Sequence, residues 1–214
     1  MWSKARGEEN TETRRKELLE KGYELFSRKS IEAVSMRDVA SAVGCGSASI
    51  YRYYGSKPEF VVAVANWVGE QTIIALQASR PSRNFEGMSA VQIFDFYLEA
   101  YIEMYRKRRD MLRFNQFFNV YIQSEKIDPE VVKPYRGLIE RMKAGFHVMY
   151  TRAGQDHTVR TDEPEEEMFS TTLHLMLAAV TRYAVGLVYT PESGFDAEKE
   201  LEKQKRAIMR EYSC

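Results

Sequence analysis

Residues 31–60 read IEAVSMRDVASAVGCGSASIYRYYGSKPEF and contain two short helical patterns. The first opens at Ser35, has Asp38 three residues later in the pattern of a capping box, and ends at Gly44. The second pattern covers residues 47–54. Two helices joined by a tight turn are typical of a helix-turn-helix, in which the second helix enters the major groove of DNA.

The second of these helices has an apolar side and a polar side. At about 100° per residue, Ile50 and Tyr54 share the face that must pack inward. The opposite face carries Ala48, Ser49 and Arg52, and the two flanks carry Tyr51 and Tyr53. Small side chains and a guanidinium suit base edges, and tyrosine hydroxyls can reach phosphates. A short helix with polar outer positions is also commonly just solvated, so periodicity alone leaves both interpretations open.

The apolar period of three to four residues continues on both sides of this stretch. Polar or Pro/Gly breaks separate nine predicted helices, and no alternating pattern is long enough for a sheet. The predicted helices cover residues 11–29, 35–44, 47–54, 58–79, 89–107, 110–124, 129–153, 164–190 and 195–212. The fold class is therefore predicted to be all-α. The basic run 106–109 ends one of these helices and is expected to be solvated.

The composition is typical of a soluble globular protein. The chain has 214 residues, a formal net charge of zero, 44% hydrophobic and 29% charged residues. No run of eighteen uninterrupted apolar residues is present, and the N-terminus lacks the apolar segment of a signal peptide. We therefore expect a cytoplasmic protein without a membrane partner. Zero net charge argues against indiscriminate coating of nucleic acid but leaves room for a local DNA-binding face.

The residues that bind metals or form disulfides are sparse. Cys45 and Cys214 are far apart in sequence and no histidine lies close to either of them, which disfavours a disulfide or a zinc site. His147, His157 and His174 each lack a second His or Cys at ligand spacing. We expect no metal and no cofactor.

The stretch quoted first resembles the N-terminal domain of the TetR family of transcriptional regulators. The resemblance covers about residues 10–65, and a helix of matching length precedes the motif. The matching residues are Ser35, Arg37, Asp38, Val39, Ala40, Val43, Gly44, Ser49, Ile50, Tyr51, Tyr53, Tyr54, Ser56 and Lys57. Three residues depart from the family pattern: Cys45 replaces a usual valine, Gly46 a usual capping Ser or Thr, and Pro58 a usual acidic residue.

The resemblance implies which residues meet DNA. Ser35, Tyr53 and Lys57 occupy phosphate-contact positions, and Arg37 lies within reach of the backbone or a base. Residues 47–49 and Tyr51 stand where the family's recognition helix meets bases and adjacent phosphates. With Arg52 from the helical wheel, the predicted DNA-binding residues are Ser35, Arg37, Ser47, Ala48, Ser49, Tyr51, Arg52, Tyr53 and Lys57.

In the family, the C-terminal part holds a small-molecule pocket and the dimer interface. The implied domains are a helix-turn-helix domain over residues 1–56 and a helical effector-binding and dimerisation domain over residues 57–214. Twelve aromatic residues fall within residues 94–150, which favours an apolar pocket, although aromatic stripes at helical spacing are more often core. The predicted pocket residues are Tyr97, Tyr101, Met104, Phe114, Phe117, Phe118, Tyr121, Phe146, Met149, Tyr150 and Tyr183.

Segment 164–190 is apolar nearly all round, which favours dimerisation through the last two helices.

We therefore expect a ligand-responsive regulator rather than an enzyme. The implied activity is repression through a palindromic double-stranded DNA operator bound by a homodimer, with release by a small apolar or aromatic effector. An enzyme would need a nucleophile–base set, a phosphate loop or a metal cluster, and none is recognisable. A helical protein-binding adaptor, or a small-molecule-binding protein that does not bind DNA, remains the alternative, and salt-dependent binding to DNA would separate the regulator from both.

Overall fold

The computed structural model of the protein describes residues 2–79, 85–124, 127–187, 189 and 194–214, with side chains from residue 11 onward. Within these residues the chain forms nine α-helices and no strand, and an isolated bridge pairs Val159 with Ser213. The helices are α1 (Trp2–Lys29), α2 (Met36–Ala42), α3 (Ser47–Tyr54), α4 (Lys57–Ala78), α5 (Ala90–Lys107), α6 (Arg109–Ser124), α7 (Pro129–Asp156), α8 (Glu165–Val185) and α9 (Ala197–Tyr212). The predicted all-α fold class is confirmed.

Two helices differ clearly in length from the predicted segments. α1 begins at Trp2 rather than at residue 11, because Glu, Lys, Arg and Ala sustain a helix by propensity without an apolar repeat that would reveal it. α8 ends at Val185 rather than at residue 190, because Gly186 has a φ of 120° and leaves the helical conformation. The remainder of that predicted segment lies partly outside the described residues.

The chain divides by packing into two units, each with its own core. The first contains the described residues up to Gln71 together with Arg113–Gly137. At its centre, the Phe60 ring of α4 has its centroid 5.9 Å from that of Phe26 in α1 and 4.9 Å from that of Tyr54 in α3. The large buried apolar residues of this unit include Leu18, Phe26, Ile31, Val39, Ile50, Phe60, Val64, Phe114 and Phe118.

The second unit, Thr72–Leu112 with Leu138–Cys214, is built around α5. α5 packs against α8 and α9, which also pack on each other. Phe94 of α5 meets Phe146 and Tyr212 edge-on, with ring centroids 6.2 and 6.0 Å away. These aromatic contacts join α5 to α7 and α9 in the core of this unit.

A dense ion-pair network connects α5 to α9. Arg106 of α5 lies among four carboxylates, with N···O distances from 2.7 to 3.4 Å. These carboxylates belong to Glu99, Glu103, Glu198 and Glu202. Arg106 is exposed, as predicted, but its ion pairs with α9 were not predicted, because these partners come together with it only in the folded chain.

Lys205 of α9 completes this network. Its ammonium contacts the carboxylates of Asp95 and Glu99 at 2.9 and 2.8 Å and is largely buried. Burial would raise the pKa of Glu99, but the hydrogen bonds from Lys205 and Arg106 outweigh it and hold that pKa below its usual range. The contacts between α5 and α9 therefore combine apolar packing with charge pairing.

α4 is apolar and long, and its composition needs a structural account. By length and composition it could cross a membrane, with a mean hydropathy of 1.2 over an 18-residue window. The apolar side chains of its first half, from Phe60 to Val68, instead lie largely in a protein core, and α4 is not a membrane span. α4 contributes residues up to Gln71 to the first unit and residues from Thr72 to the second. The predicted domain boundary after residue 56 separates a DNA-binding part from an effector-binding part, whereas these units are defined by packing alone. The predicted boundary therefore stays a prediction.

Gly22→Ala should lower the free energy of unfolding by about 1–3 kcal/mol. A Cβ at Gly22 would lie 2.6 Å from Cζ of Phe60, and that fully buried ring is held by Phe26 and Tyr54. Gly137→Ala in α7 is the matched control, because an added Cβ there meets nothing within 4 Å and should stabilise the helix by about 0.5–1 kcal/mol. Denaturant unfolding followed by circular dichroism measures both, and a Gly22→Ala protein as stable as the parent would contradict this packing.

Candidate nucleic-acid interface

Hydrogen bonds within residues 35–45 shape the first helix of the motif and its turn. Ser35 Oγ accepts from the Asp38 N–H at 3.2 Å, and the Asp38 carboxylate accepts from the Ser35 N–H at 2.8 Å, so the capping box is present. Gly44 has a φ of 72°, a conformation that favours glycine. The Cys45 N–H then donates to the Ala40 carbonyl at 2.9 Å, which closes the turn.

α3 directs a single side chain fully into the core. Ile50 is 0% exposed and is the buried residue of this helix, while Tyr54 is half-buried against Phe60. The helix starts after Gly46, which makes no side-chain capping bond, and it ends at Gly55, whose φ is 60°. α3 is therefore anchored by one buried residue and one aromatic contact.

The predicted DNA-binding residues lie at the surface of the first unit. Those that are exposed are Ser35, Arg37, Ser47, Ala48, Tyr51 and Arg52, and those that are partly exposed are Ser49, Tyr53 and Lys57. Tyr51 is 49% exposed, a large fraction for an aromatic side chain on a packed helix. The Lys57 ammonium lies 5.9 Å from the centroid of the Tyr121 ring. The contact of each of these residues with DNA stays a prediction.

Two arginines of α1 hold the motif and were missed by the sequence analysis. Arg14 donates to the Val43 carbonyl at 3.2 Å, which satisfies an orphan carbonyl at the end of α2. The Arg15 carbonyl accepts a hydrogen bond from the Tyr54 hydroxyl at 3.3 Å. These partners are 29 and 39 residues apart in sequence, so no local signal could have indicated them.

The motif also contains two groups with shifted pKa values. Burial raises the pKa of the Tyr54 hydroxyl to about 12, against the opposing charge of Arg15. The Ser35 hydroxyl, and then the Ser35 N–H, donate to Asp38 and hold the pKa of its carboxyl below the usual value. Asp38 is therefore ionised at neutral pH, as its capping role requires.

Comparison with known proteins agrees with this geometry. Residues 18–64 match the model of the bacterial regulatory proteins of the tetR family. These residues form a domain of the tetR family. The match runs from α1 through the two helices of the motif into α4, so the helix-turn-helix of this chain is a DNA-binding domain of the kind found in bacterial regulatory proteins of the tetR family. No curated protein matches the sequence.

Solved structures share the fold over nearly the whole chain. A regulatory protein of this family from Rhodococcus RHA1 has a TM-score of 0.70 and 14% identity, covering 94% of this chain and 97% of its own. The ketosteroid transcriptional regulator KstR2 of Mycobacterium tuberculosis has a TM-score of 0.61 and 15% identity, covering 94% and 95%. A TetR/AcrR-family regulator from Thermobifida fusca has a TM-score of 0.63 and 20% identity, covering 94% and 100%. The TM-scores establish a similar fold, and sequence identities this low establish nothing beyond the fold.

The predicted pocket residues are divided between the two units. Phe114, Phe117, Phe118 and Tyr121 belong to the first unit, and the other seven belong to the second. Six of the eleven side chains are buried: Tyr101, Phe114, Phe118, Tyr121, Phe146 and Met149. Phe114 and Phe118 stack with their centroids 6.1 Å apart, which is a core contact of the kind that aromatic stripes usually make.

Three of the predicted pocket tyrosines have identifiable contacts in the second unit. The Tyr97 hydroxyl donates to the Gly145 carbonyl at 2.8 Å, and the Tyr150 hydroxyl donates to the Glu163 carbonyl at 2.6 Å. Tyr183 lines an open groove together with Leu187, Tyr189, Gly194, Phe195, Asp196, Lys199, Glu200 and Lys203. A pocket role for the eleven residues stays a prediction.

The histidines lie outside the DNA-binding motif. His147 Nδ1 is 2.8 Å from Glu165 Oε2, and its Nε2 is 3.3 Å from the Thr151 hydroxyl, on the exposed surface of α7 and α8. His174 Nδ1 is 3.3 Å from the Ser170 hydroxyl. In the described part of the chain, no three His, Cys, Asp or Glu side chains are grouped to hold a metal ion.

Tyr54→Phe should destabilise the protein by about 0.5–1.5 kcal/mol at pH 8, because it removes the hydrogen bond to the Arg15 carbonyl. The folded-state pKa of about 12 lies above the unfolded value of about 10, so the contribution of Tyr54 is complete below pH 10 and is lost as the pH rises through 12. Urea unfolding at pH 8 and at pH 11 should therefore show a smaller gap between the two proteins at the higher pH. An equal gap at both values would contradict the assigned environment of Tyr54.

Proposed function

We propose that the protein is a ligand-responsive transcriptional repressor that binds a near-palindromic operator as a homodimer. The observation that carries this proposal is the distribution of buried and exposed side chains in α3. Ile50 alone is fully buried, and the polar positions face solvent. A helix with one fully buried side chain leaves its other side chains free to enter the major groove of DNA. We expect the protein to act in the cytoplasm, where its operator lies.

The roles of individual residues follow from their placement. Arg37, Ser47 and Tyr51 are exposed on α2 and α3 and are proposed to read bases, together with Ala48, Ser49 and the guanidinium of Arg52. Ser35, Tyr53 and Lys57 are proposed to bind phosphates, which position the protein without reading sequence.

The proposed dimer uses the exposed face of α8. Thr171, Leu175, Ala178, Arg182 and Val185 are exposed at successive spacings of four and three residues, so they form one stripe along the helix. Leu175 is 53% exposed and Val185 is 44% exposed, which leaves apolar surface for a second copy. The proposed two-fold symmetric dimer would insert its two recognition helices into successive major grooves, which lie about 34–36 Å apart on DNA.

The proposed effector is a small apolar or aromatic molecule bound in the second unit. Thr172 is buried, and among the described residues its hydroxyl has no hydrogen-bond partner. A bound molecule with one polar atom would satisfy that hydroxyl, since an unpaired buried polar group is costly. KstR2, which shares this fold, is described as a ketosteroid regulator, and this supports an apolar effector class. α4 runs without interruption from Lys57, near the motif, into the second unit and is the proposed lever.

DNA binding is tested first with fragments selected from the genome by the protein itself. Lys57→Ala and Tyr53→Phe should weaken binding to every duplex, and Lys57→Ala should reduce the slope of log affinity against log salt by about one unit. Arg37→Ala, Ser47→Ala and Tyr51→Phe should change which sequences are preferred. Titrations by fluorescence anisotropy should reach two chains per operator duplex.

Lys133→Ala is the charge-matched control, because Lys133 is an exposed residue of α7 that pairs with the neighbouring Glu130. Its affinity and salt slope should equal those of the unaltered protein. Saturation at one chain per duplex would contradict the dimer, and equal losses on operator and mixed DNA for Arg37, Ser47 and Tyr51 would show that they only position the protein. Binding to a partner protein without any salt-dependent DNA binding would favour the adaptor instead.

An effector should stabilise the protein and lower its affinity for the operator by about 5- to 150-fold, since the coupling free energy between two binding sites is about 1–3 kcal/mol. A thermal-shift screen of steroid, lipid-like and aromatic compounds finds candidates, and operator titration with each one measures the coupling. Thr172→Val keeps the side-chain shape and removes the unpaired hydroxyl, so it should weaken effector binding several-fold while leaving operator affinity unchanged. Compounds that stabilise the protein without changing operator affinity would contradict the switch and leave the DNA-binding function standing.

A further inference from the structure

α1 reaches the end of the recognition helix through Arg15. The Arg15 carbonyl accepts from the Tyr54 hydroxyl at 3.3 Å, and the Arg15 guanidinium carbon lies 5.8 Å from the centroid of the Tyr53 ring. Tyr54 is in turn fixed against the buried Phe60 ring at 4.9 Å. One residue of α1 therefore contacts two consecutive tyrosines of α3, with its backbone and with its side chain.

The Tyr53 ring brings two guanidinium groups close to each other. The Arg52 guanidinium carbon lies 5.3 Å from the same ring centroid, and Arg52 Nη2 donates to the Tyr53 hydroxyl at 3.5 Å. An aromatic face attracts each cation by about 0.5–1 kcal/mol at an exposed site, which helps to hold two like charges beside one ring. Arg15, Tyr53 and Arg52 are hereafter called the guanidinium cluster.

The positive charge of the guanidinium cluster is poorly neutralised within the protein. Among the described residues Arg15 pairs with Glu12 alone, at 3.6 Å, and Glu12 is 74% exposed. In the part of the chain that the structure describes, Arg52 has no carboxylate within ion-pair distance. An exposed pair such as Arg15–Glu12 is weak, so a stronger anion can replace it at little cost.

We propose that Arg15 is a further DNA-contacting residue, which binds a backbone phosphate next to the one bound at Tyr53. A phosphodiester fits the guanidinium cluster because guanidinium groups bind phosphate oxygens with charge-assisted, bidentate hydrogen bonds. The inference rests on the proposed DNA-binding function. Arg15 lies three residues before residues 18–64, the part that matches the family model.

The test compares Arg15→Gln with Arg28→Gln on a mixed-sequence duplex, because a phosphate contact does not depend on sequence. Both changes remove one charge from α1 and keep a good helix former, and Arg28 is an exposed residue near the other end of the helix that pairs with Glu24. Arg15→Gln also keeps the backbone carbonyl that accepts from Tyr54. Thermal unfolding of both variants checks that the fold is intact.

Arg15→Gln should weaken binding about tenfold at 50 mM salt and about threefold at 200 mM, because loss of one phosphate contact lowers the salt slope by about 0.9. Arg28→Gln should stay within about twofold of the parent at both concentrations. Arg15→Lys, which keeps the charge but not the planar fork, should keep the parental salt slope and lose part of the affinity. A purely structural role for Arg15 would lower the melting temperature and leave the salt slope unchanged.

Two results would overturn the inference and are distinguishable. If the parent binds DNA and Arg15→Gln has the affinity and salt slope of Arg28→Gln, Arg15 does not contact phosphate and the DNA-binding function is retained. If the parent binds no duplex at low salt, the DNA-binding function fails and the assignment of Arg15 fails with it.

Discussion

The burial of the Phe60 ring is the contact on which the helix-turn-helix depends. Phe60 is fully buried and meets Phe26 of α1 and Tyr54 of α3. The ring fits because Gly22 of α1 has no Cβ at the point of closest approach. Since an aromatic side chain of α4 buried against two other helices cannot shift without loss of packing, this one ring fixes the orientation of α3 relative to α1 and α4. The outward side chains of α3 are therefore presented from a rigid base.

The motif could be predicted from the sequence because its determinants are local. The Ser35–Asp38 capping box, the turn at Gly44 and the inward Ile50 all lie within twenty residues, and each leaves a recognisable pattern. The contacts of Arg14 and Arg15 could not be predicted in this way. They depend on a partner in another helix and on a tertiary arrangement that exists only once Phe60 is packed.

The second unit shows where pattern reasoning stops. High aromatic density indicated a pocket, but the fold places Phe114 in a different unit from Phe146 and uses the hydroxyls of Tyr97 and Tyr150 to bind backbone carbonyls. A period of 3.6 residues identifies the inward face of a helix and not what that face meets. Likewise, Arg106 looked like an ordinary cation at a helix end because its acidic partners on α9 are about ninety residues away.

The arrangement of α3 bears on how such a protein can evolve. Folding constrains Ile50 and Tyr54, whereas Ser47, Ala48 and Arg52 make no buried contact. Substitutions at exposed helix positions usually change stability by less than about 0.5 kcal/mol. Substitutions at these three exposed positions are therefore constrained very little by the need to keep the protein folded. If these positions read bases as proposed, single substitutions in a gene duplicate would change the target sequence while every intermediate protein stays folded.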